Sequence, residues 1–224
     1  MMMELLEEQV EFAENPEPRC ACVLLLDTSG SMAGDKIDAL NEGIRTFTEE
    51  LQGDPMASRR VEVAIVTFDS QVQVVQDFVT VDAFEPPLLR ASGQTAMGTG
   101  ILRALELVRE RKEVYKRNGI TYYRPWIFMI TDGEPTEPDH IVQQAAQQVW
   151  REEKNNGVVF FAVGVDNANM AKLAEISVRQ PLKLRGLAFR ELFVWLSNSM
   201  QRVSGSKPGN QVPLDPPKDW CAVY

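Results

Sequence analysis

The sequence predicts an α/β fold: a mostly parallel six-stranded sheet with one antiparallel edge strand, and helices on both faces. Apolar runs of strand length, such as residues 20–26 and 158–165, are typical of strands buried on both faces. Between such runs, apolar side chains recur every three or four residues, which indicates amphipathic helices that alternate with the strands.

The first half of the chain predicts a strand, a helix and a hairpin. Residues 20–26 form the first strand. A helix follows from residue 35 to near Gly53, with an inner stripe of Ile37, Leu40, Ile44, Phe47 and Leu51. Residues 61–68 predict a second strand, and Asp69 and Ser70 form a turn into the alternating residues after it. This pattern favours an antiparallel hairpin at the edge of the sheet.

The second half repeats the alternation of helix and strand. After the prolines at 86 and 87, a polar stretch at 92–95 precedes a helix that starts near residue 97 and fades around 118. The later elements are predicted at 126–131 (strand), 142–154 (helix), 158–165 (strand), 170–176 (helix), 182–184 (strand) and 189–203 (helix). Right-handed crossovers would join the parallel strands.

Composition and charge exclude several classes of protein. The 224 residues are 44% hydrophobic and 25% charged, as in an ordinary globular domain. The 23 basic and 32 acidic side chains leave a net charge of −9, which disfavours nucleic acid and anionic membranes as partners. No apolar run reaches the roughly 18 residues of a membrane span. Six glutamates precede the first base, Arg19, so we expect no secretory signal and a cytoplasmic protein.

Three segments follow from these patterns: an acidic N-terminal extension at 1–18, a domain at 19–203, and a Pro-rich tail at 204–224. The tail is open to three interpretations. It can stay disordered until bound, dock back over the domain through Trp220 and Tyr224, or serve as an interaction motif for another protein.

The cysteines are odd in number, as suits a reducing compartment rather than a disulfide framework. Cys20 and Cys22 would share one face of the first strand. A metal or redox pair is conceivable there, but the sequence holds no second pair and no nearby histidine, so we expect buried structural thiols. Cys221 lies alone in the tail.

Oxygen-bearing side chains follow the predicted strands, where open α/β sheets place their ligand sites. Asp27, Ser29 and Ser31 come after the first strand, Thr95 stands after the hairpin, and Asp132 follows the strand at 126–131. Three hydroxyls and two carboxylates without sulfur or imidazole make a hard donor set, suited to Mg²⁺ or Mn²⁺. Helix capping by Ser, Thr and Asp is the plainer interpretation, but capping does not require all five positions at once.

At these residues the chain resembles the von Willebrand factor A (vWA) domain family, which has a Rossmann-like, three-layer fold. The family's metal-ion-dependent adhesion site is written Asp-x-Ser-x-Ser, a distant Thr, and Asp-Gly. The sequences DTSGSM at 27–32 and ITDGEPT at 130–136, with Thr95 between them, complete that pattern. The resemblance implies that the three hydroxyl residues bind the metal directly and that one or both aspartates act through water. It also implies a vacant position for an Asp or Glu of a partner protein.

A narrower resemblance is to small bacterial TerY-like proteins, which are associated with tellurium resistance and related stress operons. It rests on FRELFVWLSNSM at 189–200 and on the tail sequence VPLDPPKDW at 212–220. This resemblance implies an adaptor without enzymatic activity, acting beside a kinase and a phosphatase. The alternative function is a regulatory subunit of a phosphotransfer or chelatase-like enzyme complex.

Catalytic interpretations of the same residues are weaker. A haloacid-dehalogenase-type phosphotransferase needs an acid where Ser29 stands, and a phosphate-binding loop needs a lysine where Thr99 follows Gly98. A serine hydrolase would have to use His140 without a Gly-x-Ser-x-Gly elbow, and we expect that histidine to be solvated.

The helix after residue 97 carries many basic side chains interleaved with glutamates. A solvated charged face is the plainer interpretation, and docking of an acidic partner is the alternative. The basic residues are Arg103, Arg109, Arg111, Lys112, Lys116 and Arg117.

Overall fold

The computed structural model describes residues 10–217 and 220–223. Residues 1–9 of the acidic extension and Tyr224 of the tail lie outside the described residues. The strands are β1 (Cys20–Asp27), β2 (Val61–Phe68), β3 (Val72–Thr80), β4 (Trp126–Thr131), β5 (Val159–Gly164), β6 (Leu182–Leu184) and β7 (Cys221–Val223). The helices are α1 (Asp35–Gln52), α2 (Ala57–Arg60), α3 (Met97–Arg117), α4 (Asp139–Lys154), α5 (Met170–Ile176) and α6 (Phe189–Ser204).

Within the described residues one sheet runs in the order β3-β2-β1-β4-β5-β6-β7. The five strands β2, β1, β4, β5 and β6 are mutually parallel, and β3 pairs antiparallel with β2 as the hairpin pattern predicts. The α/β fold and the six predicted strands are therefore confirmed. A seventh strand, β7, adds antiparallel pairing at the other edge, with Cys221 opposite Leu184.

Helices cover both faces of the sheet, as the sequence predicts. The side chains of β1 point alternately into two cores: Cys20, Cys22, Leu24 and Leu26 join the core under α1 and α6. Val23 and Leu25 face the other core, which α3, α4 and α5 cover. A strand buried on both faces needs a continuous apolar run, and that is why residues 20–26 lack polar side chains.

Helices α1 and α6 pack closely at Gly43. A β-carbon placed on Gly43 would lie 2.4 Å from the ring of Phe193, so only glycine allows this approach. Helix α6 is thereby held against the same face of the sheet as the start of α1, which carries residues of the candidate site described below.

Charged side chains are buried at the lower edge of the sheet, defined here as the edge where β1 and β2 begin. Glu62 is fully buried, and its carboxylate accepts hydrogen bonds from Arg19 Nε at 2.7 Å and Arg111 Nε at 2.8 Å. Tyr115 also donates to it, and Phe12 lies under both guanidinium groups. This network joins the described end of the acidic extension to the domain, since Glu11 also pairs with Arg111 at 2.5 Å.

The described part of the tail packs on the domain. Trp220 is buried and its ring centroid lies 5.6 Å from that of Trp195 on α6. Trp195 Nε1 donates to the carbonyl of Asp215 at 2.8 Å, and the carboxylate of Asp215 pairs with Arg202 at 2.6 Å. Of the three interpretations of the tail, these contacts correspond to docking back over the domain.

Across residues 10–217 and 220–223, none of the helices combines the length and the apolar character needed to cross a bilayer.

Replacing the tail's aromatic anchor tests how strongly the tail is held. Trp220→Ala should lower the free energy of unfolding by about 3 kcal/mol, since a buried indole is lost, and should accelerate proteolysis near Gly205. Trp150→Ala is the matched control, because Trp150 is half exposed on α4 and should change stability by less than about 0.5 kcal/mol. Urea unfolding and timed proteolysis measure both effects, and equal behaviour of the two variants would contradict the docked tail.

Candidate metal centre

Loops from three parts of the chain meet at the upper edge of the sheet, where β1, β2, β4 and β5 end. Asp27 is the last residue of β1, and Ser29 and Ser31 follow it in the short loop before α1. Asp132 comes directly after β4, which pairs with β1 in parallel. Because parallel neighbours end at the same edge, the two aspartates are brought to one place by the register of the sheet.

Four of the five expected residues are joined by direct hydrogen bonds. The backbone NH of Ser29 donates to Asp27 Oδ1 at 2.8 Å, and the hydroxyls of Ser29 and Ser31 lie 3.0 Å apart. Ser31 Oγ in turn donates to Asp132 Oδ1 at 2.6 Å. Ser29 and Ser31 are two positions apart in a tight turn, and both therefore face the carboxylates of Asp27 and Asp132.

Thr95 reaches the same place from the loop before α3. A β-carbon placed on Gly133 would lie 3.3 Å from Thr95 Oγ1, 3.6 Å from Asp27 Oδ2 and 3.7 Å from Ser31 Oγ. Three oxygens thus surround one small space beside Gly133: two come from the end of β1 and the loop after it, and one comes from the loop before α3. The structure brings all five sequence-predicted residues together at this point.

The loops that carry these residues pass close to one another. Gly30 NH donates to the carbonyl of Gly93 at 3.0 Å, and a β-carbon on Gly30 would lie only 3.3 Å from that oxygen. Gly93 itself has a φ of 74°, which favours glycine. Ser92 NH completes the junction by donating to the carbonyl of Thr28 at 2.8 Å.

Thr95 is fixed from the side of β4. Its backbone NH donates to Thr136 Oγ1 at 3.1 Å, and Thr136 NH returns a hydrogen bond to the carbonyl of Thr95 at 3.0 Å. Next to them, the carboxylate of Glu137 accepts from the NH of Gly98 at 2.6 Å and from the NH of Thr99. Glu137 therefore caps the start of α3, the helix that begins two residues after Thr95.

The Asp27 carboxylate is buried without a basic neighbour among its described hydrogen-bond partners, which are Ser29 NH and Thr131 Oγ1 at 2.5 Å. Burial raises the pKa of the Asp27 carboxyl above its ordinary value, and the charge of Asp132 adds to that shift. The hydrogen bonds from Ser29 and Thr131 act in the opposite direction. A cation at this point would relieve the cost of the buried negative charge.

The residues present suit a hard divalent cation. Their donors are oxygens alone, three hydroxyls and two carboxylates, which favours Mg²⁺ or Mn²⁺ over metals that prefer sulfur or imidazole. Ser31 is exposed to solvent, so the space beside Gly133 can be reached from outside. Asp27, Ser29, Ser31, Thr95 and Asp132 are the residues that would hold the ion.

Two contributors to this centre were missed in the sequence. Thr131 donates to Asp27, and its position one residue before Asp132 on a strand beside β1 was the available signal. Lys36 Nζ lies 2.5 Å from Asp132 Oδ2. The sequence feature that could have indicated Lys36 is its place in the first turn of α1, where the helix dipole disfavours a positive charge.

Other candidate residues have structural surroundings. Burial raises the pKa of the Cys22 thiol to about 12 and that of Cys20 further, so neither supplies a thiolate at neutral pH. Among the described residues no three His, Cys, Asp or Glu side chains form a group that could hold a metal. His140 is exposed at the start of α4.

The basic residues of α3 are engaged within the molecule. Arg103 pairs with Glu106 and Glu110, and Lys116 pairs with Glu113. Arg111 belongs to the buried network around Glu62. Much of the positive charge of this helix is therefore neutralised by neighbouring carboxylates.

Residues 22–183 match the sequence profile of the von Willebrand factor type A domain. That match covers most of the chain, so the chain belongs to this family. Among curated proteins, none matches the chain by sequence.

Solved structures share the fold at low sequence identity. A von Willebrand factor type A protein from Catenulispora acidiphila superposes with a TM-score of 0.63 at 17% identity, covering 85% of this chain and 44% of that one. The open conformation of the pilus adhesin SpaC from Lactobacillus rhamnosus GG gives 0.65 at 13%, with coverage of 83% and 30%.

The PilB minor pilin from Streptococcus sanguinis gives a TM-score of 0.60 at 13% identity, with coverage of 83% and 62%. The chain thus spans less than two thirds of the length of each of these three proteins.

Filling the space beside Gly133 should block the centre. We expect Gly133→Ala to fold, because its φ is not positive, and to weaken Mn²⁺ binding at least about tenfold. Gly53→Ala is the control, since its β-carbon would make only an ordinary contact at the far end of α1. Isothermal titration calorimetry compares the affinities, and equal affinity in wild type and Gly133→Ala would contradict this location.

Removing the charge of Asp27 should stabilise the metal-free protein. A folded-state pKa above the ordinary value means that ionisation of Asp27 costs folding free energy, so this cost grows as the pH rises above the ordinary range of the group. In EDTA at neutral pH, Asp27→Asn should therefore unfold at higher urea than wild type, and the difference should shrink at acidic pH.

Glu62→Gln is the matched control for that experiment. It also neutralises a buried carboxylate, but it removes the negative charge that Arg19 and Arg111 share and should destabilise the protein by about 3 kcal/mol. Destabilisation by both substitutions would show that Asp27 has a structural role like that of Glu62.

Proposed function

We propose that this protein binds Mg²⁺ or Mn²⁺ through Asp27, Ser29, Ser31, Thr95 and Asp132, and uses the ion to capture an Asp or Glu side chain of a partner protein. The observation that carries the proposal is the convergence of these oxygens beside Gly133, at an edge of the sheet that solvent reaches. The bound ion would supply an open coordination position for a carboxylate oxygen.

The chain's own residues explain why an acidic ligand would need the ion. The loops after β2, β4 and β5 carry Asp69, Asp132, Glu134, Glu137 and Asp166, and they contain no Lys or Arg. Lys36 of α1 pairs with two of these five acids, so this acidic rim keeps a net negative charge and would repel a partner carboxylate in the absence of a divalent cation. Binding of the partner should therefore depend on the metal.

Membership of the vWA family supports the interaction role, because the domains of this family mediate interactions between proteins. The finer parts of the proposal are a cytoplasmic adaptor without catalytic turnover, acting in a bacterial stress or tellurium-resistance system beside kinase or phosphatase components. They rest on the resemblance of residues 189–200 and 212–220 to TerY-like proteins.

Removing one hydroxyl tests both metal binding and capture. Thr95→Val should weaken Mn²⁺ binding at least about tenfold, because it deletes one oxygen beside Gly133 while keeping the shape of the side chain. Thr80→Val is the matched control, since Thr80 ends β3 opposite Glu62 at the lower edge. Calorimetry with Mn²⁺ gives the affinities.

The same variants then serve as bait in native lysate, with Mg²⁺ or with EDTA. A partner that needs the ion should be retained with Mg²⁺ by wild type and Thr80→Val, and lost with EDTA or with Thr95→Val. Replacing the partner's acidic contact residue by its amide, Asp by Asn or Glu by Gln, should also release the partner. Retention that is equal in every arm would contradict metal-bridged capture and would place the interaction on another surface.

A further inference from the structure

Lys36 is placed against a buried carboxylate of the proposed metal centre. Its ammonium lies 2.5 Å from Asp132 Oδ2 and 3.3 Å from both the carbonyl of Ser31 and Asp166 Oδ2. The Asp132 side chain is only 1% exposed, whereas that of Lys36 is 23% exposed. A positive charge of the chain itself is thus held at the edge of the centre.

The position of Lys36 on its helix is unfavourable for a cation. Lys36 is the second residue of α1, where unpaired backbone NH groups and the helix dipole create a positive potential. The carboxylates of Asp132 and Asp166 compensate for this cost. The ion pairs with Asp132 and Asp166 therefore hold the Lys36 ammonium at this position.

The charges at the centre allow one cation at a time. Asp27 and Asp132 together carry two negative charges, which a divalent ion would balance alone. With Lys36 still bonded to Asp132, three positive charges would face these two carboxylates, and the further negative charge near the ammonium is that of Asp166. A divalent ion and the ammonium therefore compete for Asp132.

Asp166 offers the ammonium a second partner. Its carboxylate already lies 3.3 Å from Lys36 Nζ, and its side chain is 49% exposed. Because the lysine stem is long and partly exposed, the ammonium can move outward without unpacking α1. Moving to Asp166 would free Asp132 Oδ2.

We propose that Lys36 is a tethered cation that neutralises Asp132 in the metal-free protein and moves to Asp166 when a divalent ion binds. This inference rests on the proposed function, since it concerns the same centre. The lysine raises the ion concentration at which the centre fills, and it disfavours monovalent ions, which supply no more charge than the ammonium they would displace. Capture of the partner is thereby restricted to divalent-ion concentrations that are high enough to displace Lys36 from Asp132.

Lys36→Met tests the competition, because it removes the charge and keeps most of the stem. We expect its affinity for Mn²⁺, measured by calorimetry, to rise on the order of tenfold, since releasing a charge-assisted hydrogen bond to a buried carboxylate costs about that factor. In EDTA the same variant should unfold at lower urea than wild type, because Asp132 loses its cationic partner and keeps only the hydrogen bond from Ser31 among its described side-chain contacts. Tighter metal binding together with lower metal-free stability is the pattern of a displaced cation.

Lys172→Met is the matched control. Lys172 pairs with Glu175 at 2.9 Å on α5 and does not contact Asp132, so its removal changes the net charge by the same amount. Its Mn²⁺ affinity should stay within about twofold of wild type. An equal gain in both lysine variants would mean that net charge alone is responsible and would overturn the inference.

Asp166→Asn tests the second partner. It should weaken Mn²⁺ binding in the wild-type background and have a smaller effect in the Lys36→Met background, because no ammonium then has to be relocated. Unchanged or weaker Mn²⁺ binding by Lys36→Met would overturn the inference, and weaker binding would assign Lys36 to orienting Asp132 for the ion. Absence of Mn²⁺ binding in wild type and in Lys36→Met would instead overturn the proposed function itself.

Discussion

Asp27 ends the central strand β1 with a fully buried carboxylate, and the described donors that surround it are neutral. A buried charge without a compensating cation is costly, and the raised pKa of Asp27 reflects that cost. The loops before α1 and α3, the hydroxyls of Ser29 and Thr131, and the close passage at Gly30 are all arranged around this group. This uncompensated carboxylate is the basis of the ion site that we propose.

The lower edge of the same sheet shows how the chain treats a carboxylate that is purely structural. Glu62 is as buried as Asp27, but two guanidinium groups and the hydroxyl of Tyr115 surround it. Two neighbouring strands therefore carry buried acids in opposite electrostatic surroundings. Glu62 at the start of β2 accepts hydrogen bonds from cations, whereas Asp27 at the end of β1 accepts them from neutral groups. Full compensation at Glu62 joins the N-terminal segment to the domain, whereas the charge of Asp27 is left for the proposed ion to balance.

The fold, and the meeting of the five oxygen-bearing residues at one place, could be predicted from the sequence because both leave local patterns. Continuous apolar runs mark the parallel strands, and the motif at 27–31 stands directly after one of them. Strand β7 was missed because three residues after a Pro-rich stretch give no periodic signal, and its pairing with β6 occurs beside the long-range contact of Trp220 with Trp195.

The contacts of Lys36 with Asp132 and of Arg19 with Glu62 were missed for a different reason. They join residues far apart in the chain, whose proximity is set by the register of β1 with β2 and β4.

The most direct test of this account is a crystal structure with Mn²⁺, with data collected where manganese scatters anomalously. We predict a single strong anomalous peak in the space beside Gly133, within coordination distance of Ser29 Oγ, Ser31 Oγ and Thr95 Oγ1, with Lys36 Nζ moved from Asp132 to Asp166. A saturating Mn²⁺ soak that leaves this space without a peak, or that places the ion elsewhere, would contradict the assignment of the centre.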